Sequence, residues 1–105
     1  MAVRVTKDDF EAKVLNNNLP VVVDFYSDSC VACKKLAPVL GDLEDNLEGK
    51  IEVVKVNTNF DAELAADYQV MANPTVLVFN QGKVVAKKVG AANYKELEDL
   101  VLSNI

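Results

Sequence analysis

Val21-Val22-Val23-Asp24-Phe25-Tyr26-Ser27-Asp28-Ser29-Cys30-Val31-Ala32-Cys33-Lys34 decides how this chain is built. Val21 to Tyr26 is an apolar run rich in β-branched and aromatic residues, the pattern of a strand buried on both faces. From Cys33 onward Leu36, Leu40, Leu43 and Leu47 recur at helical spacing, and Gly49 is suited to end the helix they define. A central strand therefore runs almost directly into a helix, and the two cysteines of the chain lie at the junction. Pro38 falls inside that helix, where it removes one backbone donor.

On the N-terminal side, Val3 and Val5 alternate with polar residues as in a short strand, and Thr6 precedes Asp8, Asp9 and Phe10 as the cap of a first helix. Asn16, Asn17, Asn18 and Pro20 break that helix before the central strand begins. On the C-terminal side, Ile51 to Val56 reads as a strand and Asn59 to Tyr68 as a short helix with Leu64, Ala65 and Tyr68 on one face. Asn73-Pro74 then marks a turn or a cis bond. Thr75 to Phe79 and Val84 to Val89 flank Asn80-Gln81-Gly82, which predicts an antiparallel hairpin. Asn93 with Glu96 forms a capping-box start for a last helix striped by Tyr94, Leu97, Leu100 and Val101. The order is βαβαβαββα: an α/β fold with a mixed five-stranded sheet between two helical layers.

With 105 residues, half of them apolar, the chain suffices for one core, and residues 1–105 are expected to form a single domain. Eleven basic against sixteen acidic residues give a net charge of −5, which disfavours nucleic acid as a partner. No run approaches the roughly 20 apolar residues of a membrane span, and the N-terminus turns charged at once, so no membrane role and a cytoplasmic location are expected.

Two cysteines three apart are too few for a disulfide framework, and in a reducing compartment they point to redox chemistry or metal binding. The exposed N–H groups at a helix start favour a thiolate, and residues one helical turn apart can close a disulfide. The same spacing also fits half a zinc site or two buried thiols. A structural zinc site takes four protein ligands, and the chain has no His and no third Cys. Two chains could still pool four thiolates. Asp24 interrupts the most apolar strand, where burial raises a carboxyl pKa; alternatively it is an ordinary hydrogen-bonded or edge aspartate. Lys55 interrupts Val53-Val54 and Val56 in the same way, either as a partner for Asp24 or as a lysine whose head reaches water.

Val23-Asp24-Phe25-Tyr26, Cys30-x-x-Cys33-Lys34, Pro38, Pro74-Thr75 and Val89-Gly90-Ala91, in that order, resemble the thioredoxin family over essentially the whole chain. The resemblance implies the thioredoxin fold and a protein-disulfide reductase acting by dithiol–disulfide exchange. In that reading Cys30 attacks the target disulfide, Cys33 resolves the mixed disulfide, and Asp24 assists proton transfer at Cys33. Lys55 matches the family lysine near that aspartate. Pro74 matches the cis-proline beside the cysteines, and Gly90 a glycine of the binding groove. It further implies no cofactor or metal, a monomer, disulfide-containing target proteins, and re-reduction by an enzyme of the thioredoxin-reductase type.

The departures lie around the cysteines. The usual Trp-Cys-Gly-Pro-Cys is Ser29-Cys30-Val31-Ala32-Cys33, and Asn73 replaces the aliphatic residue common before the cis-proline, with Met71-Ala72 ahead of it. The resemblance implies that Ser29, Val31, Ala32, Asn73, Pro74 and Gly90 contact the substrate, and with these departures a reductase suited to the usual loop is expected to couple poorly. Two alternatives stay open: an oxidase or isomerase of the same fold, and a dimeric module holding zinc or an iron–sulfur cluster.

Overall fold

The computed structural model describes residues 2–105. The chain runs β1 (Val3–Arg4), α1 (Lys7–Phe10) continuing into a π-helical turn (Glu11–Leu15), β2 (Val21–Tyr26), α2 (Val31–Asn46), β3 (Glu52–Asn57), α3 (Ala62–Asp67), β4 (Thr75–Asn80), β5 (Lys83–Val89) and α4 (Tyr94–Leu102). The expected order βαβαβαββα is found. One five-stranded sheet has the order β1-β3-β2-β4-β5, in which β1, β3 and β2 are parallel and β4 and β5 antiparallel to their neighbours.

Successive strand residues point to opposite faces, and the two cores follow that alternation. Val21, Val23 and Phe25 of β2 pack with Val54, Val56, Leu77 and Phe79 against Phe10, Val14, Leu64 and Ala65. Val22 packs on the other face with Val53, Val76 and Val78 against Leu36, Leu40, Leu43, Leu97 and Val101 of α2 and α4. This puts Asp24 and, in register beside it, Lys55 on the α2 side of the sheet. Because β2 is central and covered on both faces, Val21 to Phe25 are all buried.

Local signals act where the sequence puts them. Asn93 Oδ1 accepts from Glu96 N at 2.9 Å while Glu96 Oε1 accepts from Asn93 N at 3.2 Å, closing the capping box of α4. At the start of α1 the Thr6 N–H donates to Asp9 Oδ1. In the hairpin, Gln81 (φ 55°) and Gly82 (φ 78°) occupy the two left-handed positions of a two-residue turn. A Cβ on Gly82 would also stand 3.0 Å from the Leu15 carbonyl oxygen. Between Val78/Ala86 and Phe79/Val84 the β4–β5 register shifts, leaving Val85 as a bulge.

Two helical boundaries differ from the sequence reading. The first helix widens at its end, because the Asn16 N–H bonds to the Glu11 carbonyl five residues back at 2.9 Å. The third helix starts at Ala62 rather than Asn59. Asn57 Oδ1 accepts from Asn59 N and the Asn57 carbonyl from Asp61 N, both at 2.9 Å, so the asparagine closes a turn that delays the helix.

Candidate active site

β2 delivers the chain to the start of α2, and Cys30 takes the N-cap position in extended conformation. Its Sγ accepts from the Cys33 N–H at 3.1 Å. A sulfur so placed faces the unsatisfied N–H groups of a 16-residue helix, where negative charge is favoured. No acidic side chain occupies the first turn to oppose it. Cys30 and Cys33 form a disulfide with Cα atoms 5.2 Å apart. The two sulfurs differ in access: Cys30 is half-buried, and Cys33 is only 4% exposed.

Behind Cys33 lies a cavity of about 180 Å³ lined by Asp24, Tyr26, Ser27, Asp28, Cys33, Lys34, Ala37 and Lys55. Asp24 is 5% exposed, and among the described residues its buried Oδ1 has no hydrogen-bond partner. Burial pushes its carboxyl up to about 7, against a smaller opposing effect of Lys55. It lies on the central strand, and no side-chain or backbone donor among the described residues reaches its Oδ1, so it is neither an edge aspartate nor one held by a hydrogen bond there. Lys55 is half-buried, and its Nζ sits over the Tyr26 ring, 5.4 Å from the centroid.

The other expected contacts reach the same end of the sheet through register. Phe25 faces Thr75 across the β2–β4 ladder and Thr75 faces Val89 across β4–β5, which brings the segment before Thr75 and the one after Val89 beside the end of β2. The Asn73–Pro74 bond is cis, and the Gly90 N–H donates to the Pro74 carbonyl at 2.8 Å. Asn73 Nδ2 donates to Thr58 Oγ1 at 3.1 Å, and both the hydroxyl and the backbone N–H of Thr58 donate to the Tyr26 carbonyl, so three loops are tied together. Val31 (66% exposed), at the start of α2, and Met71 (95%), in the segment before Pro74, are large apolar side chains left open to solvent.

A buried carboxyl behind a helix-capping disulfide, with a cis-proline loop alongside, is the arrangement the motif order implied. The model of the family described as Thioredoxin matches residues 1–103. The chain belongs to the thioredoxin family. It is 39% identical to Thioredoxin C-2 of Corynebacterium nephridii over 98% of this chain and 95% of that protein. To Thioredoxin of Rickettsia bellii (strain RML369-C) it is 35% identical over the whole of both chains, and to Thioredoxin 1 of Nostoc sp. 40% over 86% of this chain and 84% of the other. As a thioredoxin-family protein it is a thiol–disulfide oxidoreductase with a protein-disulfide reductase function, and its redox-active centre is the Cys30–Cys33 pair. Thioredoxins act on disulfide-bonded targets and are generally re-reduced by thioredoxin reductase.

The sequence reading missed Tyr26, Asp28, Asn57 and Thr58. Asp28 Oδ2 accepts from Asn57 Nδ2 at 3.3 Å, linking the loop before Cys30 to the end of β3. Tyr26 was legible only through its position two residues beyond Asp24, which puts both on one strand face. Among the described residues no helix is long and apolar enough to cross a membrane.

Proposed function

We propose that Cys30 is the attacking sulfur and Cys33 the resolving one, and the observation that carries this is their unequal access at one helix start. The Cys30 thiolate attacks one sulfur of a target disulfide; that S–S bond breaks and its electron pair leaves on the other target sulfur. The Cys33 thiol then gives its proton to the Asp24 carboxylate and attacks the Cys30 sulfur. The bond between Cys30 and the target sulfur it first attacked breaks, that sulfur departs as a thiolate, and two electrons have passed from the cysteine pair to the target. With its carboxyl at about 7, Asp24 exchanges a proton near neutral pH, the range in which a thiol-activating base works best. Lys55 tempers that carboxyl by its charge.

Ser29, Val31, Ala32, Asn73, Pro74 and Gly90 form the target-facing rim in this reading, with Met71 beside them. The Val31 and Met71 side chains offer exposed apolar area where the family's tryptophan is replaced by Ser29. The protein works as one domain and a monomer in the cytoplasm, without cofactor, drawing electrons from a reductase of the thioredoxin-reductase type adapted to this rim.

The test is a pair of variants incubated with a disulfide-bonded protein. Cys33→Ser accumulates a mixed disulfide through Cys30, visible by mass as the sum of the two partners, and Cys30→Ser yields none. A mixed disulfide carried by Cys33 in the Cys30→Ser variant would reverse the assignment.

A further inference from the structure

Val76, Asp24, Lys55 and Arg4 stand in register across β4, β2, β3 and β1, and so share the sheet face that α2 covers. Lys55 stands beside the buried carboxylate on the neighbouring strand, and Arg4 lies one strand further along the row. Unlike charges attract, the more so where one of them is buried, yet among the described residues neither cation is ion-paired with Asp24, whose Oδ1 lacks any hydrogen-bond partner. Each cation lies instead on an aromatic face. Lys55 Nζ is 5.4 Å from the Tyr26 ring centroid, and the Arg4 guanidinium carbon is 4.7 Å from that of Phe60. Both distances fall within the roughly 6 Å reach of a cation–π contact. Tyr26 and Asp24 belong to the same strand face, so the ring competes directly with the carboxylate for the ammonium.

We infer that Tyr26 is a positioning residue: its ring holds the Lys55 ammonium out of contact with Asp24, so that the carboxyl stays unpaired and able to exchange a proton with the Cys33 thiol. The inference rests on the proton-exchange role proposed for Asp24. The titratable and charged groups that face Asp24 are Lys55 from β3, Tyr26 and Asp28 from β2 and the loop after it, and Cys33 and Lys34 from α2. β4 presents only the apolar Val76 in register, and the next cation along the row, Arg4, is turned onto Phe60. Of these groups Lys55 alone is an adjacent cation within the row, and the aromatic ring beside it decides where its charge rests.

The experiment follows the Asp24 carboxyl carbon by NMR against pH in the oxidised protein. Tyr26→Leu removes the ring face, the ammonium closes on the carboxylate, and the Asp24 midpoint falls by about one pH unit. In a Lys55→Met background the same Tyr26→Leu change leaves the midpoint where Lys55→Met alone puts it, and Tyr26→Phe, which keeps the ring, titrates as the unmodified protein. Equal shifts in both backgrounds would mean that Tyr26 acts by packing or by excluding water, and an absent or upward shift would mean that it does not hold the ammonium off; either overturns the inference. A second measurement needs no variant: the Lys55 ε-methylene protons are displaced upfield of those of the other lysines by the ring current of Tyr26. Coincidence with the other lysines also overturns it. Failure of the Asp24 role itself is read separately, as unchanged turnover of Asp24→Asn from pH 6 to pH 9.

Discussion

Replacing Asp24 by Asn keeps the shape of the side chain and removes its charge, and the structure sets the size of the effect. The carboxyl sits at about 7 in the folded protein against an ordinary value of 3.8. Between those two values the folded state holds a proton that the unfolded chain has lost, so unfolding releases a proton and stability falls as pH rises. Below about pH 4 both states are protonated and burial of the neutral carboxyl costs nothing extra by linkage. Above pH 7 the charge is carried in the buried site as well, and the loss is complete. At about 1.4 kcal/mol for each pH unit the full loss is roughly 4 kcal/mol, of which about 3 kcal/mol falls between pH 5 and pH 9. Asp24 is almost wholly buried, so solvent screening takes little from this figure. Urea unfolding of the oxidised proteins, whose disulfide keeps both cysteines out of the titration, is run at pH 5 and pH 9. The Asn variant gains about 3 kcal/mol on the unmodified protein between the two pH values, because every other titrating group cancels in the comparison. Parallel stability curves across that range would refute the argument that Asp24 is a buried, unsatisfied acid.

Two further outcomes are expected. Gly82→Ala forces a side chain into a left-handed position with its Cβ 3.0 Å from the Leu15 carbonyl oxygen, and chemical unfolding should report a loss of about 1–2 kcal/mol. A thioredoxin reductase specialised for the Trp-Cys-Gly-Pro-Cys loop should reduce this protein with kcat/KM lower by about tenfold than a thioredoxin carrying that loop, the equivalent of about 1.4 kcal/mol of lost contact; equal rates would remove Ser29 and Val31 from the determinants of reductase choice.

The parts of the fold legible in the sequence are those set by short-range chemistry. The β-branched run of β2, the Asn93–Glu96 cap, the Gln81-Gly82 turn and the leucine spacing of α2 each act within a few residues, and each is found where it was read. Asn57 shows the limit. Its side chain and carbonyl close a turn over Thr58 to Asp61, and although Asn, Thr and Asp suit a turn, the apolar spacing of Leu64, Ala65 and Tyr68 does not mark where the turn ends and the helix begins. The π-helical turn before Asn16 escapes for a similar reason, since one displaced backbone bond leaves the apolar pattern unchanged. At the site, Asp24 stands out because a carboxylate breaks an apolar run. Its relation to Lys55 depends on the pairing of β2 with β3, which lies between segments some thirty positions apart and is set by the packing of the whole sheet. Tyr26 reads as one more strand aromatic until that register places a lysine over its ring.

Cys30 and Cys33 act together as a reducing two-electron couple, and a redox titration puts this to the test. Purified protein is equilibrated with defined thiol–disulfide buffers, alkylated and weighed. A shared couple gives one transition in which both thiols appear together, at a potential more reducing than about −230 mV, on the side of the thioredoxin reference near −270 mV. Independent alkylation of the two cysteines would contradict the shared couple, and a midpoint at or above about −180 mV would make the protein an oxidase or isomerase instead.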